Sequence, residues 1–182
     1  MDSSTQTGSL QVQLATAFLL QVIMTYKLSP QYLQVIFIYQ DQTQKTKTIL
    51  FNDDSKLMDY SKQMLEAEKE IGNKQINFVS MLKEVELMIR TNHHARGGLI
   101  PKVLTLLGSG TPPKKDRTAM RDNMKALYAL GIRIYHIRVG LVLDSAYLST
   151  IVNKEYTFEI KLGMNTEKLK AVAMVYLLRV QA

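Results

Sequence analysis

Three short runs rich in β-branched, leucine and aromatic residues, separated by stretches with helical apolar spacing, constrain this chain most. Leu33 to Tyr39 reads LQVIFIY, Ile100 to Leu107 reads IPKVLTLL and Ile132 to Val139 reads IRIYHIRV. The first two lack polar–apolar alternation, which suits strands buried on both faces. The third reads as an alternating strand marked by Ile132, Ile134, Ile137 and Val139, with Tyr135 the exception and His136 half-buried. Lys47 to Phe51 adds a strand expected at an edge, and Glu155 to Ile160 adds a further strand. Helical periodicity covers Ser9 to Leu28, which Ser29-Pro30 ends because proline cannot continue a helix. It returns over Ser55 to Ile71, entered through Asn52-Asp53-Asp54-Ser55 and broken at Gly72-Asn73, and over Ile76 to Thr91. Further helices are expected over Lys114 to Leu130, with Gly131 as the C-cap, over Asp144 to Val152 and over Lys168 to Val180.

The order α-β-β-α-α-β-α-β-α-β-α predicts one α/β domain over residues 1–182. Its sheet is expected to be doubly wound and mostly parallel, with helices on both faces. Such sheets bind ligands at the carboxyl ends of their strands. With 182 residues and 46% hydrophobic content the chain can fill a core unaided, and the absence of cysteine excludes a disulfide framework. The longest apolar run, Leu14 to Met24, contains Gln21 and falls short of the roughly 20 residues a bilayer span needs, so no membrane span is expected. Met1-Asp2-Ser3-Ser4 lacks the positive opening of a signal peptide.

Enzyme chemistry finds little support. There is no cysteine nucleophile, no G-x-S-x-G, no assignable carboxylate pair and no Walker lysine. Gly108-Ser109-Gly110 lacks the third glycine of a dinucleotide fingerprint. His93-His94 are neighbours that would not share a helix face, and no third ligand stands at metal-site spacing. Asp53-Asp54 fits either a cation site or a helix cap. The net charge is +7, from 23 Lys+Arg against 16 Asp+Glu, which favours acidic partners in general. The positive residues concentrate in Lys114, Lys115, Arg117, Arg121 and Lys125, with a second group at Arg90, His93, His94 and Arg96. Either group also fits a solvated face.

Three stretches together resemble the von Willebrand factor A family, and most of all its collagen VI and matrilin-type A domains. Asp2-Ser3-Ser4-Thr5-Gln6-Thr7-Gly8 is similar to the family's D-x-S-x-S-x-G loop. Gln34 to Tyr39, followed by Thr48 to Asp53, is similar to its second strand, hairpin partner and LND loop. Pro101 to Leu107, followed by Gly131 to Gly140, is similar to two later strands. The resemblance implies the fold already read from the pattern, with the family's first strand absent here or supplied from elsewhere. It also implies a divalent-cation site in which Asp2 and Ser4 match ligands. Gln6 stands at the second serine, Ile76 at the threonine and Ser109 at the last aspartate. One carboxylate is a poor host for Mg²⁺, so the site is expected to be degenerate and no cofactor is expected. Asp2-Ser3-Ser4 equally fits a helix N-cap before Leu10.

By this resemblance the chain is expected to be a secreted, non-enzymatic adhesion module of the extracellular matrix. Its partner is expected to be a protein or sulfated glycan, not nucleic acid, met by Ser109, Lys114, Lys115, Arg117 and Arg121 without a metal bridge. Two other readings are a scaffold A domain of an intracellular or bacterial assembly and a Rossmann-like nucleotide-binding enzyme.

Overall fold

The computed structural model describes residues 3–25, 28–29, 31, 33–71, 77–91, 102–108, 112–140, 147 and 150–181, with side chains for all of these except 3–9, 108 and 181. Contacts divide the chain into two compact units, Met1–Lys74 with Glu159–Ala182, and Gln75–Phe158.

The first unit opens with helix α1, Ser3–Thr25. It begins six residues before the start expected from periodicity and absorbs Gly8. It is described to Thr25, and Leu28, expected as its last residue, is not helical. The amide of Leu28, which continued helix would tie to a carbonyl four residues back, instead donates to Asp54 Oδ1 at 2.6 Å. Strands β1 (Val35–Gln40) and β2 (Thr46–Phe51) form an antiparallel hairpin in register Val35↔Phe51 to Gln40↔Thr46. A 3-10 turn, Asp54–Lys56, leads into α2, Leu57–Glu70. The unit closes with α5, Thr166–Gln181, which starts two residues earlier than expected; Asn165 Oδ1 accepts the Lys168 amide at 3.1 Å.

The core of this unit gathers Leu19 and Ile23 of α1, Ile49 and Phe51 of the hairpin, and Tyr60 and Met64 of α2. Phe51 meets Tyr60 edge-on at 5.0 Å, and Phe18 of α1 meets Tyr176 of α5 edge-on at 5.7 Å. Burying each large apolar side chain contributes roughly 1.5–3 kcal/mol, which makes this cluster the unit's main source of stability.

The second unit contains α3 (Phe78–Arg90), β3 (Val103–Gly108), α4 (Arg117–Ala129) and β4 (Arg133–Val139). β3 and β4 are parallel, from Val103↔Arg133 to Gly108↔Arg138, so α4 is the crossover that parallel neighbours require. β5, Thr157–Ile160, completes a three-stranded sheet of order β3-β4-β5 and crosses the sequence boundary between the units. Leu82 and Val85 of α3 and Met120, Met124 and Leu127 of α4 are buried where these helices pack. Gly131, at φ +76°, ends α4 in the left-handed conformation expected of it, and its amide donates to Tyr128 O.

Several strand readings need correction. β4 does not alternate: Ile134, Tyr135, His136 and Ile137 are all buried, because β4 is the central strand of its sheet. His136, expected half-buried, is only 3% exposed. Conversely, Val35 to Ile38 and Val103 to Leu107, expected to be buried on both faces, are half-buried. Among the described residues each of those strands has a neighbour on one side only. Glu155 and Tyr156, expected to open the last strand, lie in the 3-10 turn Lys154–Tyr156, because Asn153 Oδ1 accepts the Glu155 amide. Of the helix expected over Asp144 to Val152, Tyr147 is helical, Thr150 and Ile151 are turn and Val152 is a bend, and the remainder lies outside the described residues, as do Gly72-Asn73.

Candidate functional site

Because β3 and β4 run parallel, their carboxyl ends, Gly108 and Val139, lie at one edge of the sheet. From the end of β3 the chain reaches the 3-10 turn Lys114–Asp116, which continues directly into α4. From the end of β4 it reaches Tyr147. The two connections are tied together there. The Tyr147 hydroxyl donates to Arg117 O at 2.9 Å, and the Arg117 guanidinium carbon stands 4.6 Å from the centre of the Tyr147 ring. Arg117 Nε also points to Pro112 O at 3.5 Å, a long contact that adds direction more than energy. Tyr147 is 7% exposed. Burial pushes its phenol up, opposed by the charges of Arg121 and Arg117.

The basic cluster therefore divides. Arg117 is half-buried and partly committed to holding the edge together, whereas Lys114, Lys115, Arg121 and Lys125 are exposed. Among the described residues none of these four forms an ion pair. Between Lys114 and Lys125 stand five cationic side chains and two carboxylates, Asp116 and Asp122. This edge is suited to attracting anions. In the second basic group, Arg90 is paired to Glu86 at 2.8 Å, and His93, His94 and Arg96 lie outside the described residues.

The candidate cation ligands are not brought together among the described residues. Asp2, Ile76 and Ser109 lie outside them, and residues 4 and 6 lie within α1. No group of three or more His, Asp or Glu among the described residues could hold a metal ion. The Asp53-Asp54 pair is structural. Asp53 Oδ1 accepts the Ser55 amide at 3.0 Å and the Ser55 hydroxyl at 2.7 Å, and Asp54 holds Leu28.

One cluster was missed in the sequence because Glu70 stands 23 and 31 positions from the hairpin residues Lys47 and Tyr39 that it meets. Lys47 Nζ lies 2.8 Å from Glu70 Oε1 and 3.6 Å from Asp41 Oδ2, and the Tyr39 hydroxyl donates to Glu70 Oε2 at 2.6 Å. Asp41 Oδ1 also accepts from the amides of Thr43 and Lys45. Only the hairpin register and the end of α2 bring these groups together. The cluster pins the hairpin tip to α2. The hydrogen bond from Lys47, aided by that from Tyr39, holds the Glu70 carboxyl below its usual range. Burial, then the bond to Glu70, pushes the Tyr39 phenol far up.

Comparison with known proteins follows the same lines as this geometry. The sequence model of the von Willebrand factor type A domain matches residues 1–171. No curated protein matches by sequence. Among solved structures, the manganese-loaded Plasmodium vivax TRAP protein superposes with a TM-score of 0.67 at 13% identity. The alignment covers 89% of this chain and 64% of that one, so this chain spans less than two thirds of that protein's length.

Proposed function

Because the chain belongs to the von Willebrand factor type A family, we propose that it is a non-enzymatic interaction module of an extracellular adhesion or matrix assembly. It engages an acidic protein surface or a sulfated glycan through the cations at the start of α4. The observation carrying this reading is the division of the cluster. Tyr147 fixes Arg117 at the carboxyl edge of the sheet, and Lys114, Lys115 and Arg121 project from that fixed edge into solvent. A rigid edge presents its charges with little ordering cost on binding. Among the described residues no helix is long and apolar enough to cross a membrane.

In the family a divalent cation would supply a Lewis-acidic contact to a partner's carboxylate. The positions here do not suit it: Asp2 is their sole carboxylate, and Ile76 offers no ligand atom. Residues 4 and 6 are two apart in helical backbone, where positions do not share a face. The module is therefore proposed to act without a cation. The competing reading, cation-dependent adhesion, draws on the manganese bound by the TRAP protein.

Immobilised heparin tests the proposal. Retention should fall with added salt, and the Lys114→Ala/Lys115→Ala double variant should elute at lower salt than the parent. Equal elution of the two proteins would remove this edge from the account.

A further inference from the structure

The basic residues at the start of α4 form a line as well as a cluster. Lys114, Thr118, Arg121 and Lys125 are spaced by four, three and four positions, and all four are exposed. Within α4 that spacing keeps Thr118, Arg121 and Lys125 on one face, and Lys114 stands in the 3-10 turn that leads into the helix. Met120, Met124 and Leu127 fill the opposite, buried side. Eleven residues at 1.5 Å each make the line roughly 16 Å long. Asp122, four positions after Thr118 and three before Lys125, shares this face, so the cations there exceed the carboxylates by Arg121 and Lys125 against Asp122, with Lys114 at the head of the line, and among the described residues no ion pair neutralises them.

We infer that this face of α4 is a track for a linear sulfated polysaccharide lying along the helix axis, with successive sulfates meeting Lys114, Arg121 and Lys125 and Thr118 offering a hydroxyl between them. The inference rests on the reading of the edge as an anion-binding surface and adds the ligand's class and direction. A single-stranded nucleic acid is a poorer occupant, since such ligands need exposed aromatic rings on which to stack. Tyr147 lies buried under Arg117, and Tyr128, three positions beyond Lys125, is 41% exposed, a single ring where a bound strand needs a succession of them. An acidic protein surface is also poorer, because protein interfaces centre on apolar or aromatic anchors. No large hydrophobic side chain is exposed among the described residues from Lys114 to Lys125.

The test uses heparin-derived oligosaccharides from disaccharide to octasaccharide, with affinities measured by titration across an NaCl series. For the parent, affinity should rise with chain length. The Arg121→Ala/Lys125→Ala variant should lose most of that gain, and the slope of log affinity against log salt should fall by about two, one per cation removed. Lys62→Ala/Lys69→Ala removes two exposed charges from α2 and should change neither quantity. If Arg121→Ala/Lys125→Ala behaves like that control while Lys114→Ala/Lys115→Ala weakens binding, the track is wrong and the basic edge stands. If both pairs behave like the control, both readings fall. A poly-glutamate peptide of matched charge that binds as tightly as the octasaccharide would overturn the glycan assignment.

Discussion

Tyr147 joins the two connections at the carboxyl edge through one hydrogen bond and one ring face, and each part can be removed separately. Tyr147→Phe keeps the ring against the Arg117 guanidinium and deletes only the bond to Arg117 O. It should lower unfolding free energy in urea by about 1 kcal/mol. Tyr147→Ala also opens a cavity and should cost about 3–5 kcal/mol. Near-equal losses in the two variants would show that the ring contributes nothing. The cluster at the hairpin tip makes a pH prediction. The Glu70 carboxyl, held by Lys47 and Tyr39, and the Asp41 carboxyl, held first by Thr43, are both below their usual range. Their contribution is complete above the unfolded values, 4.5 for Glu and 3.8 for Asp, and is lost as pH falls through the lower folded values. The Tyr39 phenol is shifted the other way, so its contribution is complete below 10.0 and is lost as pH rises above that. Urea unfolding across pH should therefore show a plateau with two falling limbs. Tyr39→Phe should flatten the alkaline limb, and an unchanged limb would rule out this tyrosine. The pairings to Glu70 were not legible in the sequence, because hydrogen bonds between residues 23 to 31 positions apart leave no local signal.

The secondary-structure elements were read more successfully, for a physical reason. Helices and strands follow from periodicity, and apolar spacing is written locally. Their ends are set by single donors and acceptors, and the reading slipped there. Leu28, expected within α1, gives its amide to Asp54 instead, and the last strand starts late because Asn153 caps the turn before it. Where the capping residue was itself visible, the boundary was read well: Gly131 takes the left-handed conformation that closes α4. Gly131→Ala should cost about 1–2 kcal/mol in chemical denaturation, since the position has room for a methyl group and the penalty comes from the backbone alone. A neutral result would mean that the turn relaxes to another conformation. The burial errors share one cause. Composition tells that a strand is apolar but not how many neighbours it has. β4 is central and buried from Ile134 to Ile137, whereas Val35 to Ile38 of β1 and Val103 to Leu107 of β3 are half-buried in strands with one neighbour each among the described residues.

At the scale of the whole molecule, the family match over residues 1–171 spans both compact units, and the α/β class was readable from the order of elements. The basic edge was legible as a run of lysines and arginines. The structure adds that Arg117 is spent on Tyr147, so the exposed lysines and Arg121 carry the proposed contact. The central claim is that this contact needs no bound ion. It is tested most directly by titrating a heparin octasaccharide into the chain in EDTA and again in Mn²⁺ at matched ionic strength. The account predicts the same affinity in both buffers and the same loss in Lys114→Ala/Lys115→Ala. Binding that appears only with Mn²⁺ and survives the double substitution would contradict it.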